Sequence, residues 1–327
     1  MQVFGKAGKE GVLVKGSNYL DILTKTKTIV LDKTGTITKG NFEVSKIILS
    51  EEITEEELIK TAAIAESMSN HPIAKSIIKR ANENIDEEEI TNYQEISGMG
   101  IKVKYKNDEI IAGNSKLLEK ENIKYYKCNE IGAIVYVAKN KKYLGSIIIE
   151  DIIKEDSKTA IEEFANNGIQ DIYMLTGDNK ITADDVAKKV GIKNVYANFL
   201  PDEKVKKMQE IKEKSGSLIA IGDGINDSPL LALSDIGVSI GNTGSDLAIE
   251  TSDIVIMDGK LSSFNKLIKT AKRTKRIIKQ NIYFAIGIKV IVLILGAIGI
   301  STMWEAVFAD VGVTFLTVLN ALRILKK

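Results

Sequence analysis

The sequence predicts an α/β protein: a doubly wound parallel sheet with an inserted α+β domain, followed by a hairpin of two membrane-spanning helices. Short apolar runs alternate with helical segments from about residue 147 to 270, the rhythm of a parallel sheet covered by helices. The segment 40–146 breaks that rhythm, because alternating strands are frequent there. Residues 282–325 are mostly apolar and carry few charges, as a membrane hairpin requires.

Length and composition exclude several classes of protein. A chain of 327 residues holds roughly two domains, and 44% hydrophobic residues exclude wholesale disorder. The net charge of +1 creates no field that attracts nucleic acid, so no nucleic-acid partner is expected. Cys128 is the only cysteine and His71 the only histidine, which excludes a disulfide framework and any multi-Cys or His-rich metal site.

The parallel sheet is predicted to begin with a short buried strand at Thr28–Leu31. Since the later strands resume only after residue 146, residues 1–39 and 147–270 are predicted to form one discontinuous domain. Residues 40–146 are then an insertion. The other strands of this sheet are predicted at Asp171–Leu175, Leu218–Ile221, Ile236–Ile240 and Ile254–Met257, with helices at Lys158–Asn166, Ile181–Val190 and Asp202–Lys214.

The insertion has its own helix and strand patterns. A helix is predicted over Thr54–Glu66, where Thr54 and Glu57 have the spacing of a capping box. Strands are predicted at Ile101–Tyr105, Glu109–Ala112 and Ala133–Ala138.

Residues 271–327 are predicted to form the transmembrane hairpin. Ile282–Met303 contains one charge, Lys289, and would be ~33 Å long as a helix, enough to cross a bilayer. Trp304–Leu325 is the second apolar run. Basic residues flank the hairpin at both ends, so both ends are expected on the cytoplasmic side of the plasma membrane. The alternative is a pair of buried helices in a soluble core.

Carboxylates follow two of the predicted parallel strands. Asp32 ends the first strand, and ligands of open α/β sheets bind beyond such strand ends. A carboxylate there can attack a phosphoryl group and form an acyl phosphate. Asp223 and Asp227 follow another strand, and a site made only of oxygen ligands suits Mg²⁺.

A third strand end carries Thr176, Gly177 and Asp178, whose hydroxyl and backbone N–H groups can hold a phosphate. Lys204 can supply a point charge to the same oxygens. A single Asp-Gly pair is usually an ordinary turn. Three such loops in this order, each after a strand, indicate one site.

The segments DKTGTIT, MLTGDN and GDGINDSP together resemble the phosphorylation domain of the P-type cation ATPases, which has the haloacid dehalogenase fold. The resemblance implies that ATP phosphorylates Asp32, and that Asp32, Asp223 and the Thr34 carbonyl bind Mg²⁺. Phosphatases of this superfamily place a second Asp two residues after the nucleophile, where this chain has Thr34. The acyl phosphate is therefore expected to persist and to drive a conformational cycle.

Five residues of the insertion resemble the nucleotide-binding domain of the heavy-metal branch, which implies ATP binding. His71 lies beside Pro72, and two glycines flank Met99, permitting close approach of the backbone to a ligand. A lone histidine is more often structural, so both interpretations of His71 remain open. The five residues are Glu66, His71, Gly98, Gly100 and Asn114.

Two charges lie in the predicted membrane helices. Asp310 precedes Gly312, and the pattern resembles the zinc/cadmium/lead subgroup, which implies that Asp310 binds the transported metal and Lys289 is its counter-charge. A carboxylate suits borderline divalent ions rather than Cu(I). Counted from the predicted helix ends, the two depths differ by ~10 Å, a gap that a long lysine side chain shortens. The alternative for Lys289 is snorkelling to the interface.

The resemblance implies the catalytic part of an ATP-driven export pump for Zn²⁺, Cd²⁺ or Pb²⁺. A complete pump of this family has further transmembrane helices, an actuator domain and a Cys-Pro-Cys type motif, which this sequence lacks. The chain is therefore expected to be a C-terminal portion whose partners are the bilayer, the metal ion and the missing part, and not to transport alone. The alternatives are a membrane-tethered phosphatase of the same superfold and a non-catalytic nucleotide-binding fragment.

Overall fold

The computed structural model describes residues 7–8, 11–50, 53–83, 85–223, 227–241, 250–300 and 303–324. The middle of the predicted GDGIND loop, residues 224–226, lies outside the described residues, as does Leu325 of the second apolar run. In chain order the helices and strands are β1 (Val12–Val14), α1 (Ser17–Leu23), β2 (Thr28–Asp32), β3 (Thr38–Leu49), α2 (Glu55–Glu66), α3 (Pro72–Ala81), β4 (Ile90–Ile96), β5 (Gly100–Tyr105), β6 (Asp108–Gly113), α4 (Ser115–Lys120), β7 (Ala133–Lys139), β8 (Lys142–Ile153), α5 (Ser157–Asn166), β9 (Asp171–Leu175), α6 (Lys180–Val190), β10 (Asn194–Tyr196), α7 (Pro201–Ser215), β11 (Leu218–Gly222), α8 (Ser228–Leu233), β12 (Ile236–Ile240), β13 (Ile254–Ile256), α9 (Leu261–Ala297) and α10 (Met303–Ala321).

The chain divides into two compact units. The first comprises Met1–Ile37, Lys154–Asp178 and Ala187–Lys327, and the second comprises Thr38–Ile153 and Asn179–Val186. The strand β8 runs through the predicted boundary at residue 146 to Ile153, because its second half pairs with β3. The division into functional domains remains a proposal.

The first unit contains the predicted parallel sheet. Among the described residues its strand order is β1-β13-β12-β11-β2-β9-β10, and only β1 runs antiparallel to its neighbour. The central strands are buried along their whole length, as expected when helices cover both faces. Leu31 of β2 pairs with Ile221 of β11 and Met174 of β9, so the loops after these three strands leave the sheet at one edge.

Helix α7 is positioned by its two ends. Pro201 occupies the first helical turn, where a missing N–H costs nothing, and the N–H of Leu200 donates to the Glu203 carboxylate at 2.8 Å. The helix ends at Gly216, whose φ of +74° suits glycine. Its buried residue Met208 packs in one apolar cluster with Val30 of β2, so the first turn of α7 lies close to the sheet edge that carries Asp32.

The second unit is an antiparallel sheet with α2 and α3 packed on one face and α4 on the other. Its described strands have the order β3-β8-β7-β6-β5-β4, which confirms the strands predicted within β5, β6 and β7. Residues of α2 and α3, such as Leu58 and Ile77, pack against sheet residues such as Val103 and Ile147. The predicted cap is confirmed, because the Thr54 hydroxyl accepts a hydrogen bond from the Glu57 N–H at 3.2 Å.

The helices α9 and α10 are long and apolar enough to cross a membrane, and the most apolar part of α9 is not buried within the chain. The predicted span ran to Met303, but α9 ends at Ala297. Gly299 has φ of +79°, and the N–H groups of Gly299 and Ile300 bond back to the carbonyls of Gly296 and Leu295. This is a glycine-terminated helix end, which hydrophobicity alone does not reveal.

Candidate functional site

Asp32 lies at the carboxyl end of β2 and is 8% exposed. One carboxylate oxygen, Oδ2, accepts the N–H of Thr34 at 2.9 Å, and the other, Oδ1, lies 2.5 Å from Nζ of Lys204. Lys204 belongs to the first turn of α7, and its Nζ is also 3.7 Å from Oδ1 of Asp227. One ammonium group therefore bridges two buried carboxylates.

The electrostatics of this cluster leave a surplus of negative charge. Burial raises the pKa of Asp32, while Lys204 opposes that shift. Burial, followed by the charge of Asp32, raises the pKa of Asp227 to about 7. Burial alone would lower the pKa of Lys204, but its two carboxylate neighbours raise it, so the ammonium stays charged. A further cation would lower the energy of the charged carboxylates.

Two glycines let the loops around Asp32 approach each other. Gly35 has φ of +75°, and a Cβ on it would lie 3.1 Å from Cβ of Asp223. A Cβ on Gly222 would lie 2.6 Å from Oδ2 of Asp227. The carboxylates of Asp32 and Asp223 thus belong to one site, because the charge of Asp223 also raises the pKa of Asp32. The acceptors that the described residues bring to this cluster are carboxylate oxygens, which fit a hard divalent cation.

A buried lysine, Lys33, forms an ion pair with the third strand-end loop, Thr176 to Asp178. Thr176 is buried, and its hydroxyl donates to Oδ2 of Asp178 and accepts the N–H of Asp178, both at 3.1 Å. Nζ of Lys33 lies 2.5 Å from the same Oδ2, and the Lys33 side chain is buried. No role was expected for Lys33 from the sequence. The available signal was its place directly after Asp32, at the end of the strand that carries the site.

The predicted nucleotide residues are partly brought together in the second unit. Asn114 caps α4 by accepting the Leu117 N–H, and its amide donates to the Gly98 carbonyl at 2.8 Å. Gly100, with φ of +141°, is required by packing, because a Cβ there would lie 2.3 Å from the Ala112 carbonyl oxygen. Gly98 and Gly100 therefore lie at the turn between β4 and β5, and Asn114, which follows β6, is bonded to that turn.

His71 and Glu66 lie at neighbouring helix ends. His71 is exposed and is the N-cap of α3, where its Nδ1 accepts the Ile73 N–H at 3.2 Å. This contact gives the histidine a structural role and leaves Nε2 for a ligand. Glu66 is the last residue of α2, is 6% exposed, and interacts electrostatically with Glu95 and Tyr93 of β4. Its carboxyl therefore faces the strand that leads to Gly98.

A Glu66→Gln variant should be more stable than the wild type at neutral and alkaline pH. Burial, followed by the charge of Glu95, raises the pKa of Glu66 to about 7. The folded state therefore keeps the carboxyl proton up to about pH 7, whereas the unfolded state releases it near pH ~4.3. The stability that the neutral carboxyl gives to the folded state is lost as the pH rises through about 7. Thermal unfolding at about pH 5 and about pH 8 should show that the wild type loses roughly 2.5 kcal/mol more stability than the variant, because Asp227, whose pKa is also raised to about 7, adds the same pH dependence to both proteins.

The exposed neighbour provides the control for that measurement. Glu95→Gln removes a charge of the same sign at a solvated position, so only a small part of the pH dependence should disappear. An equal pH dependence in the wild type and Glu66→Gln would contradict the expected protonation of Glu66.

The membrane hairpin brings its two charges into contact. Nζ of Lys289 lies 3.1 Å from Oδ1 of Asp310, at a cavity of about 390 Å³ between α9 and α10. The depths estimated from the sequence differed because they were counted from the outer helix ends. Both residues lie roughly 11–12 Å from the hairpin turn. The apolar residues lining the cavity are Ile288, Val292, Leu293, Ala306, Val307, Ala309 and Val313.

Known proteins match this chain in sequence and in fold. Residues 26–235 match the haloacid dehalogenase-like hydrolase family. A cadmium, zinc and cobalt-transporting ATPase of Bacillus subtilis is 51% identical over 325 residues, which are 98% of this chain and 46% of the relative. A solved zinc-transporting PIB-type ATPase in an E2.Pi state matches with a TM-score of 0.85 at 31% identity, covering 99% of this chain and 54% of that one.

A second solved structure, the catalytic domain of the CPx-ATPase CopB-B, described for its conformational changes on nucleotide binding, matches with a TM-score of 0.66 at 29% identity. It covers 81% of this chain and 98% of that one. The chain spans about half the length of the curated relatives it matches. These matches confirm the fold expected from the sequence.

Proposed function

We propose that this chain is the catalytic part of an ATP-driven export pump for divalent heavy-metal ions. The premise is that the chain belongs to the haloacid dehalogenase-like hydrolase family and is homologous over its full length to cadmium- and zinc-transporting P-type ATPases. The observation that carries the proposal is the buried Asp32 carboxylate, 2.5 Å from Lys204, with Thr34 in the place of a second acid.

The proposed reaction transfers the γ-phosphoryl group of ATP to Asp32. A carboxylate oxygen forms a bond to the γ-phosphorus while the bond from phosphorus to the bridging oxygen breaks, and ADP leaves. Lys204 neutralises charge at the acceptor carboxylate, and the Thr176 loop donates to the phosphoryl oxygens. Asp32, Asp223 and the Thr34 carbonyl would hold Mg²⁺, which when bound neutralises the phosphate oxygens.

A Thr34→Asp variant should shorten the lifetime of the aspartyl phosphate. The side chain two residues after Asp32 stands where a carboxylate would act as a general base for water, and such a base contributes ~10²–10⁴-fold in rate. After labelling with γ-labelled ATP and a chase with unlabelled ATP, decay of the label should accelerate by roughly 100-fold or more. Thr34→Asn has nearly the same shape without the base and should decay like the wild type. Equal decay of the Asp and Asn variants would contradict this role for position 34.

The second unit is proposed to bind the ATP through Glu66, His71, Gly98, Gly100 and Asn114. The resemblance to the nucleotide-binding CopB-B domain supports this assignment. In this proposal the turn between β4 and β5, which contains Gly98 and is bonded to Asn114, presents its backbone to the nucleotide. Nε2 of His71 is the group available for the base or the phosphates of ATP.

His71→Asn should separate the two roles of the histidine. Asparagine is a good N-cap, so α3 should remain stable, whereas His71→Ala should lose ~1 kcal/mol of stability. ATP affinity, measured by calorimetry, should fall by about tenfold in both variants if the imidazole contacts ATP. Normal affinity in His71→Asn would mean that His71 acts only as a cap.

The transported ion is proposed to bind at Asp310. Its carboxylate suits borderline divalent ions such as Zn²⁺ and Cd²⁺, and Lys289, in contact with it, balances its charge when the ion is absent. The relatives named for cadmium, zinc and cobalt transport support this metal class. The resemblance implies that transport requires further membrane helices and an actuator domain. This chain matches 46% of the length of the Bacillus subtilis relative.

The chain is a membrane protein whose two apolar helices cross the bilayer and whose catalytic units lie on the cytoplasmic side. In this placement the second unit is exposed to cytoplasmic ATP, and the hairpin lies in the membrane that the metal ion crosses.

The function is tested by incubating the purified full chain with γ-labelled ATP and Mg²⁺, followed by acid quenching. An acid-stable label that hydroxylamine removes is expected, because acyl phosphates react with hydroxylamine. Absence of label with retained ATP binding would favour a non-catalytic nucleotide-binding fragment. Rapid hydrolysis of simple phosphate esters without label would favour the membrane-tethered phosphatase.

A further inference from the structure

We propose that Arg276, Lys279 and Tyr283 form a binding site for the headgroup of an anionic phospholipid. These residues lie where the buried part of α9 ends and its apolar, unburied part begins. All three are exposed, and Tyr283 is 72% exposed. Arg276 and Lys279 have no hydrogen-bond or ion-pair partner among the described residues.

The four cations of α9 from Lys269 to Lys275 have partners within the chain. Lys269 pairs with Glu163 at 2.8 Å, and Lys275 pairs with Asp21 at 2.8 Å. Lys272 donates to the Asn167 carbonyl, and Arg273 donates to the Arg323 carbonyl at 2.7 Å. These bonds join α9 to other segments of the first unit. Arg276 and Lys279, one turn nearer the membrane, are therefore charges that no described residue neutralises.

The three residues share one face of α9. Their spacing of three and four residues places them within one stripe of the helix, so a single phosphate can contact both cations. The tyrosine follows at the depth where apolar sequence begins, which is the headgroup level favoured by aromatic residues. A phosphodiester is a single negative charge with two free oxygens. It matches an arginine and a lysine as donors and the tyrosine hydroxyl as a third.

The stripe continues into the bilayer with residues that suit an acyl chain. Gly287 lies one turn below Tyr283, and a Cβ there would meet no other atom, so the helix surface has a shallow recess at that point. Val290 and Ile294 follow on the same face and are 48% and 53% exposed. The cationic end and the apolar end therefore match the two ends of one lipid molecule.

The other helix of the hairpin does not cover this face. Helix α10 contacts α9 through Asn281, whose amide donates to the Thr317 carbonyl at 3.0 Å, and through the cavity lined by Ile288, Lys289 and Val292. On the helical wheel these positions lie on the side of α9 remote from Arg276 and Tyr283. The charge of the stripe, at the membrane surface, selects an anionic lipid as its occupant.

The site is tested by measuring retained lipid on the purified full chain. The chain is titrated in detergent micelles with phosphatidylglycerol or phosphatidylcholine, and bound lipid is counted by native mass spectrometry. Phosphatidylglycerol should bind more tightly than phosphatidylcholine. Since each basic residue at a membrane surface strengthens binding about fivefold, Arg276→Gln/Lys279→Gln should weaken phosphatidylglycerol binding by roughly 25-fold.

A matched pair on the same helix provides the control. Lys266→Gln/Lys269→Gln removes the same charge with the same spacing, but ~15 Å farther from the membrane, and should change binding less than threefold. Equal losses in both double variants, or equal binding of the two lipids by the wild type, would overturn the proposal. Competition by soluble glycerol phosphate as strong as that by the lipid would also overturn it, since the occupant would then be a free phosphate.

Folding of the variants is checked independently, by thermal unfolding in the same detergent. If the double variant proves unstable, Arg276→Gln alone should show about a fivefold loss. An unchanged affinity in a folded single variant would exclude Arg276 from the site.

Discussion

An Asp32→Asn variant should take up no phosphate from γ-labelled ATP, a loss of at least about a thousandfold, because the amide cannot serve as the nucleophile. The substitution keeps the shape of the side chain and retains an oxygen to accept the Thr34 N–H, which Asp32 holds at 2.9 Å. It also removes a buried charge, so the variant should fold and bind ATP. Acid-quenched labelling and calorimetric ATP binding are the two measurements.

The control for Asp32→Asn is the same substitution at the opposite edge of the sheet. Asp171 pairs with Thr28 at the amino ends of β9 and β2, and it is exposed. Asp171→Asn should label like the wild type. Residual label in Asp32→Asn that hydroxylamine still removes would show that another carboxylate, for example Asp223, accepts the phosphate.

Replacing Lys204 with Met should slow phosphorylation of Asp32 by roughly 100- to 1,000-fold, the range found when one aligned electrostatic contact to a transition state is lost. Methionine has a similar length but no charge, so Asp32 and Asp227 would lose the ammonium that lies 2.5 and 3.7 Å from them. Rapid-quench measurement of the initial labelling rate is the test. Lys204→Arg restores the positive charge as a planar guanidinium, which is larger than an ammonium group, and should recover only part of the rate.

Lys206→Met is the matched control for Lys204→Met. Lys206 lies two residues along the same helix and is exposed, so its loss should leave the labelling rate within about twofold of the wild type. Unchanged labelling in Lys204→Met would mean that the ion pair with Asp32 stabilises the fold without contributing to phosphoryl transfer.

Much of the fold was predictable because its determinants are local. The strands β2, β9 and β11 are short apolar runs followed by polar loops, and the helices between them have apolar spacing and caps. In a parallel sheet the carboxyl ends of strands meet at one edge. The order of elements was therefore enough to expect that Asp32, Thr176 and Asp223 lie near one another.

The pairing of charges in the site could not be predicted in the same way. The contact between Asp32 and Lys204 joins residues 172 positions apart. It depends on how α7 packs against the sheet. The pair of Lys33 and Asp178 depends on β2 lying beside β9, a strand order that apolar patterns do not encode.

The sequence by itself determined the secondary structure, the order of the strand-end loops and the class of chemistry, because these follow from periodicity and from residue type over a few positions. Only the tertiary structure decided which charges meet. The turn at Gly299 brought Lys289 to Asp310, and the packing of α9 left Arg276 and Lys279 without a partner in the part of the chain that the structure describes. Such contacts depend on the relative placement of distant segments, which is set by packing over the whole unit rather than by any local pattern.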